Sequence, residues 1–132
     1  MAAQTRAILA RMDQLVPGAI SLAYDNYNAL AIGYGATTKQ SGLVFSIAVY
    51  PRWVSLFFTQ GAALDDPNGL LKGEGSRIRH IVLGGPETLD DPDVGALMMQ
   101  ALAKADPPID ASRPNRLIIQ SISAKQKARR PA

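Results

Sequence analysis

The chain predicts an α+β domain: a mainly antiparallel sheet of about five to six strands packed with two main helices. Three observations carry that reading. Apolar residues recur at helical spacing in two places, the stretch between them alternates at the period of strands, and each run is closed by Gly, Pro, Asn or Asp. At 132 residues the chain is long enough to bury one core and too short for two ordinary domains. The domain is expected over residues 1–123, with a short basic tail over 124–132.

The first helix is predicted over residues 5–16, where Ile8, Leu9, Met12, Leu15 and Val16 form one apolar stripe. Pro17 and Gly18 end it, since proline cannot continue the helical ladder and glycine accepts a reversal. Ile20, Leu22 and Tyr24 then alternate with small residues as a strand. Asp25-Asn26-Tyr27-Asn28 reads as a turn, and Leu30, Ile32 and Tyr34 as the returning strand. Residues 43–50 are too apolar to face water on either side and are placed as a central strand. Pro51 and Arg52 turn the chain into residues 53–59, which complete a hairpin.

Residues 61–75 form a long loop with four glycines, a length that implies a task or self-packing. A strand is expected over 77–83. Asp90-Asp91-Pro92-Asp93 then opens the second helix, with acids at its positive end and proline in its first turn. Val94, Leu97, Met98, Ala101, Leu102 and Ala105 are its buried stripe, and Asp106-Pro107-Pro108 ends it. Residues 117–122 read as a last strand at a sheet edge, whose open side could support a homodimer.

Apolar residues make up 47% of the chain and charged residues 19%, ordinary values for a globular protein. No apolar run reaches the ~20 residues of a membrane helix, and the N-terminal stretch lacks the layout of a secretory signal. With no cysteine there is no disulfide, thiolate nucleophile or thiolate metal site, and a cytoplasmic location is the expectation. The formal net charge is +3, but Lys125, Lys127, Arg129 and Arg130 all lie in the last eight residues. Taking those four from the fourteen basic residues leaves ten against eleven acids, so the body is nearly neutral. Any nucleic-acid contact read from composition therefore belongs to the tail.

Several segments together resemble the YdhG-like domain of unknown function. They are Tyr24-Asp25-Asn26-Tyr27-Asn28-Ala29-Leu30, the hairpin from Tyr50-Pro51-Arg52-Trp53 to Phe58, the loop with Asp66-Pro67-Asn68-Gly69-Leu70-Leu71-Lys72-Gly73-Glu74-Gly75, and Arg79-His80-Ile81. The resemblance covers about residues 5–105. It implies a small α+β fold of mostly bacterial distribution. Some members carry the label of a frataxin-like iron chaperone, and no catalytic residues come with the family.

The segment richest in chemistry is Lys72, Gly73, Gly75, Arg77, Arg79 and His80. Glycines allow successive backbone N–H groups to converge on an anion, and the cations could neutralise a phosphate or carboxylate. On one strand Arg77 and Arg79 would share a face and His80 would take the other. The segment holds neither a Walker motif nor a dinucleotide fingerprint. Its ordinary reading is a glycine-bearing loop before a charge-protected edge strand.

His80 is the single histidine and reads as structural, and Asp25 and Asn26 are accounted for by turn chemistry. Ser46 and Ser55 lie in apolar strands outside any nucleophile-elbow context. An iron-binding reading would draw on Asp65, Asp66, Glu74, Glu87, Asp90, Asp91 and Asp93, although helix capping already explains the last three. Tyr24, Tyr27, Tyr34, Tyr50 and Trp53 beside Arg52 could serve as stacking platforms, or could be core and rim. The expectation is a non-enzymatic binding or accessory domain, without cofactor, for a small anionic ligand or a protein partner.

Overall fold

The computed structural model describes residues 2–25, 30–38 and 42–119. Helix α1 covers Ala2–Leu15, followed by strands β1 (Ile20–Asp25), β2 (Leu30–Gly35), β3 (Leu43–Val49) and β4 (Val54–Phe58). After a 3-10 turn at Gly61–Ala63 come β5 (Arg79–Leu83), a second 3-10 turn at Pro86–Asp90, α2 (Pro92–Lys104) and β6 (Arg116–Ile119). The six strands form one sheet in the order β5-β4-β3-β2-β1-β6. Strands β1 to β5 meander antiparallel, whereas β6 lies parallel to β1. The chain therefore leaves one edge at β5, crosses through α2 and returns at the opposite edge. This is the expected α+β arrangement, with β3 in the interior and the last strand at an edge.

Strand alternation sorts the side chains onto two faces. Cross-strand pairing lines up Tyr34, Phe45 and Phe58 in one row and Ile32, Ile47, Leu56 and Ile81 in the next. Against these rows α1 sets Ile8 and Met12, with Val16 just beyond its end, and α2 sets Val94, Leu97 and Met98. The four-residue spacing in α1 keeps its apolar residues on one stripe. Each such side chain contributes roughly 1.5–3 kcal/mol through removal from water, so this one-sided core is the main source of stability. The other face is carpeted with smaller residues, among them Ala31, Gly33, Ser46, Ala48 and Ser55. A Cβ at Gly33 would stand 2.5 Å from Leu43 Cδ1, so a side chain there would have to displace the Leu43 side chain that lies over it.

Polar contacts fasten α1 to the elements around it. The Arg11 guanidinium meets the Asp90 carboxylate at 2.6 Å, and Gln4 Nε2 donates to the Gly84 carbonyl. Asn115 joins two segments, accepting from the Gly18 N–H at 2.6 Å and donating to the Asp13 carbonyl at 3.0 Å. At the start of α2, Asp91 caps the helix by accepting from the Asp93 N–H at 2.8 Å, and Pro92 occupies the first turn as expected.

Three details differ from the sequence reading. Helix α1 starts at Ala2 rather than Thr5, and both 3-10 turns were unanticipated. Strand β5 starts at Arg79, not Arg77, because the Arg77 carbonyl accepts the Ala62 N–H at 2.9 Å and so leaves the ladder. Tyr34 is a core residue, 2% exposed, in line with the core alternative for the strand aromatics. The expected turn at Asn26–Asn28, the strand residues after 119 and the basic tail at 124–132 lie outside the described residues.

Burial and the nearby Asp13 charge both raise the Tyr34 phenol above its ordinary value of 10.0. The unfolded chain then ionises first as pH climbs, so the stabilisation from this phenol is complete below pH 10.0 and is lost above it. Thermal melts carried to about pH 11 should show a steeper alkaline fall for the native protein than for Tyr34→Phe. Gly18 and Gly69 offer a second comparison, since both have positive φ, at 82° and 64°. A Cβ on Gly18 would stand 1.9 Å from the Asp110 carbonyl oxygen, whereas Gly69 has nothing within 4 Å. In urea melts Gly69→Ala should cost about 1–2 kcal/mol and Gly18→Ala clearly more.

Candidate functional site

The end of the β3–β4 hairpin opposite its turn is held by Thr59. Its N–H donates to the Val44 carbonyl at 3.1 Å, and its Oγ1 donates to the Leu43 carbonyl at 2.7 Å. These bonds keep Leu43, Thr59 and Gln60 at the rim of the sheet. The chain then enters the 3-10 turn at Gly61, where a Cβ would stand 2.5 Å from Arg79 Cβ. That close approach packs the turn directly against the start of β5.

Two concavities open on either side of this rim. One, of about 350 Å³, lies toward the C-terminal end of α2 and is bounded there by Lys104, Ala105 and Asp106. The other, of about 510 Å³, lies toward the bend that carries Gly75, Ser76 and Arg77. Leu43, Thr59 and Gln60 belong to both walls, so the two lie side by side along this rim and are taken together as one groove. Arg77 stands on one flank and Lys104 on the other, with Leu43, Val44, Ala63 and Leu64 supplying apolar floor between them.

Of the six residues singled out in the sequence, Gly75 and Arg77 line this groove. Arg79 does not face a ligand. Its guanidinium donates to the Gly75 carbonyl and, at 2.9 Å, to the Ile78 carbonyl, clamping the bend from within. Arg77 and Arg79 therefore do not act as a pair on one strand face. Lys72 closes a backbone bridge with His80 at 2.8 and 2.9 Å, which covers part of the β5 edge. Gly73 sits at φ 122°, a conformation that side-chain-bearing residues rarely adopt. The His80 ring packs on Phe57 at 5.2 Å on the helix-free face of the sheet. The six residues thus divide among a groove wall, a loop clamp, an edge bridge and the opposite face.

The groove also uses residues that the sequence did not flag, chiefly Leu43, Gln60 and Lys104. The available signals were weak: a polar pair ending an apolar strand, and a lysine closing the second helix.

Of the carboxylates proposed for iron, Asp65, Asp66 and Asp93 line one concavity beside α2, and three are engaged in separate contacts. Asp66 accepts from the Leu70 and Leu71 N–H groups at 3.0 and 2.9 Å, Asp91 caps α2, and Asp90 holds Arg11. Among the described residues no group of three or more His, Cys, Asp or Glu is close enough to share a metal. No helix of the described residues is long and apolar enough to cross a membrane. Compared with known proteins, the chain matches no family model, no curated protein and no solved structure.

The clamp makes a specific demand. Arg79→Ala should cost about 1 kcal/mol, a charged hydrogen bond discounted for its exposure. It should also speed amide exchange over residues 75–78, read by mass spectrometry. Arg77→Ala should leave that exchange unchanged, because Arg77 bonds the turn through its backbone carbonyl.

Proposed function

We propose that this domain is a non-enzymatic binding module whose groove takes a small anionic ligand. The observation that supports it most is the adjacency of two concavities that share Leu43, Thr59 and Gln60, with Arg77 and Lys104 on the two flanks. An elongated molecule could rest its apolar body on Leu43, Val44 and Leu64 and direct its anionic end to a guanidinium, which pairs well with carboxylate or phosphate oxygens. Asp106 stands in the same wall as Lys104, so the Arg77 flank is the stronger anion position.

Among the described residues the groove wall includes neither histidine nor tyrosine, and the Thr59 hydroxyl is already committed to a backbone carbonyl. A nucleophile hydrogen-bonded to a base, the usual requirement for acyl or phosphoryl chemistry, is missing from that wall. Binding without turnover is the function these residues support best.

Titration with inorganic phosphate and with succinate, followed by amide chemical shifts, tests the reading. Saturable shifts are expected at Gln60, Gly75, Ser76 and Arg77. Arg77→Ala should weaken binding about tenfold, in keeping with loss of a charge-assisted hydrogen bond. Lys104→Ala should weaken it less. Shifts that spread over the whole surface without saturating, or that ignore Arg77→Ala, would remove the proposal.

A further inference from the structure

The sheet face that the helices leave uncovered carries a separate arrangement of rings. Alternation along β4 puts Trp53, Ser55 and Phe57 on this side. Pairing sets Ser46 and His80 on either side of Phe57, and Ala48 and Val82 on either side of Ser55. Phe57 and His80 pack with ring centres 5.2 Å apart and planes tilted 33°. At the other end of the strand, Tyr50 and Trp53 stack at 4.7 Å and 27°. Trp53 and Phe57 are four positions apart along the strand, a span of about 13 Å.

Between the two ring pairs the residues are small and covered by their neighbours. Ser55 and Ala48 lie there, and Ser55 is 1% exposed, with a hydroxyl that finds no hydrogen-bond partner among the described residues. Trp53 and Val82 remain open to solvent at 45% and 52%. The charge on this side has one sign. Arg52 is exposed in the turn beside Trp53, Arg116 lies in the β6 register of this face, and no carboxylate occurs among the described strand residues that alternate onto it.

We propose that this face binds single-stranded nucleic acid, with one base stacking at Trp53, another at the Phe57–His80 pair, and Arg52 on a phosphate. The exposed side of a flat ring receives a base, whose π-face is common to all nucleotides. Arg52 and Arg116, with no carboxylate among the described strand residues of this face, suit the phosphate backbone, which supplies most of the affinity in sequence-independent binding. A stable protein partner would need a broad apolar patch, whereas the large apolar residues strongly exposed on this side among the described residues are Trp53, Val82 and, one residue before β5, Ile78. The chain also continues past β6 into the segment with Lys125, Lys127, Arg129 and Arg130, which can add phosphate contacts without reading bases.

Trp53 is the single tryptophan of the chain, so its emission reports on this face alone. The full chain is titrated with a short oligodeoxythymidylate and with the matching oligouridylate at low salt. Saturable quenching is expected, moving to higher concentration as salt rises. With a dye-labelled oligonucleotide read by anisotropy, Trp53→Leu should bind about tenfold more weakly. Arg52→Glu, a change in the exposed turn, should weaken binding by a similar factor with an unaltered circular dichroism spectrum. Replacing Lys125, Lys127, Arg129 and Arg130 with glutamine should lower affinity while preserving the quenching. Arg77→Ala, in the separate groove, should change nothing. The proposal is overturned by absence of binding at low salt. It is equally overturned if binding leaves Trp53 emission unchanged and disappears with the four tail substitutions, which would make the tail the whole contact.

Discussion

The Phe45 and Phe58 rings meet edge to face at 5.5 Å in the centre of the sheet, and both are fully buried. Their meeting locks the register of the β3–β4 hairpin. Because side chains alternate with a period of two, a slip of one residue would turn Phe45, Ile47, Leu56 and Phe58 away from the helices together. Tyr34 pairs with Phe45 and Ile81 with Leu56, so the registers of β2 and β5 follow from the same hairpin. The surface that α1 and α2 cover is thus decided by one pair of strands. So is the character of the opposite surface, where Ser46, Ala48 and Ser55 fall because their neighbours face the core.

Much of this architecture was legible in the sequence, for local reasons. Period-two alternation in the strands and the stripe of Ile8, Met12 and Val16 are patterns that burial on one face imposes on neighbouring residues. The cap at Asp91 and the proline after it are likewise local chemistry. The parallel return of β6 to β1 was not legible, because that pairing joins segments nearly a hundred residues apart. Nor were the 3-10 turns, which are fixed by tertiary contacts such as that of Ala62 with Arg77.

The groove was half visible. Gly75 and Arg77 stood out as a glycine-rich basic segment, and both reach it. Composition alone could not separate Arg77 from Arg79, since the same side chain clamps a loop in one place and lines a cavity in the other. The difference is where β5 begins, which depends on a turn sixteen residues upstream taking the Arg77 carbonyl. Lys104 and Gln60 come from elements distant in sequence, and only the packing of α2 beside the hairpin end brings them together. Surface rings follow the same logic. Tyr34 and Tyr50 look alike as letters, yet one sits among core residues and the other at a hairpin turn.

The fastening of Asn115 has a kinetic meaning. It bonds Gly18 from 97 positions away, and β6 follows directly after it. Closing so long a loop gains little until the meander and α2 already stand, so β6 docks late in folding. By the same reasoning it is an early element to detach, held among the described residues by one four-residue ladder at the edge of the sheet. Detachment would bare the β1 edge next to Leu22, a buried apolar residue outside the helix-packed core. The seam between β1 and β6 is therefore the place where this fold is most open to strand exchange with another chain.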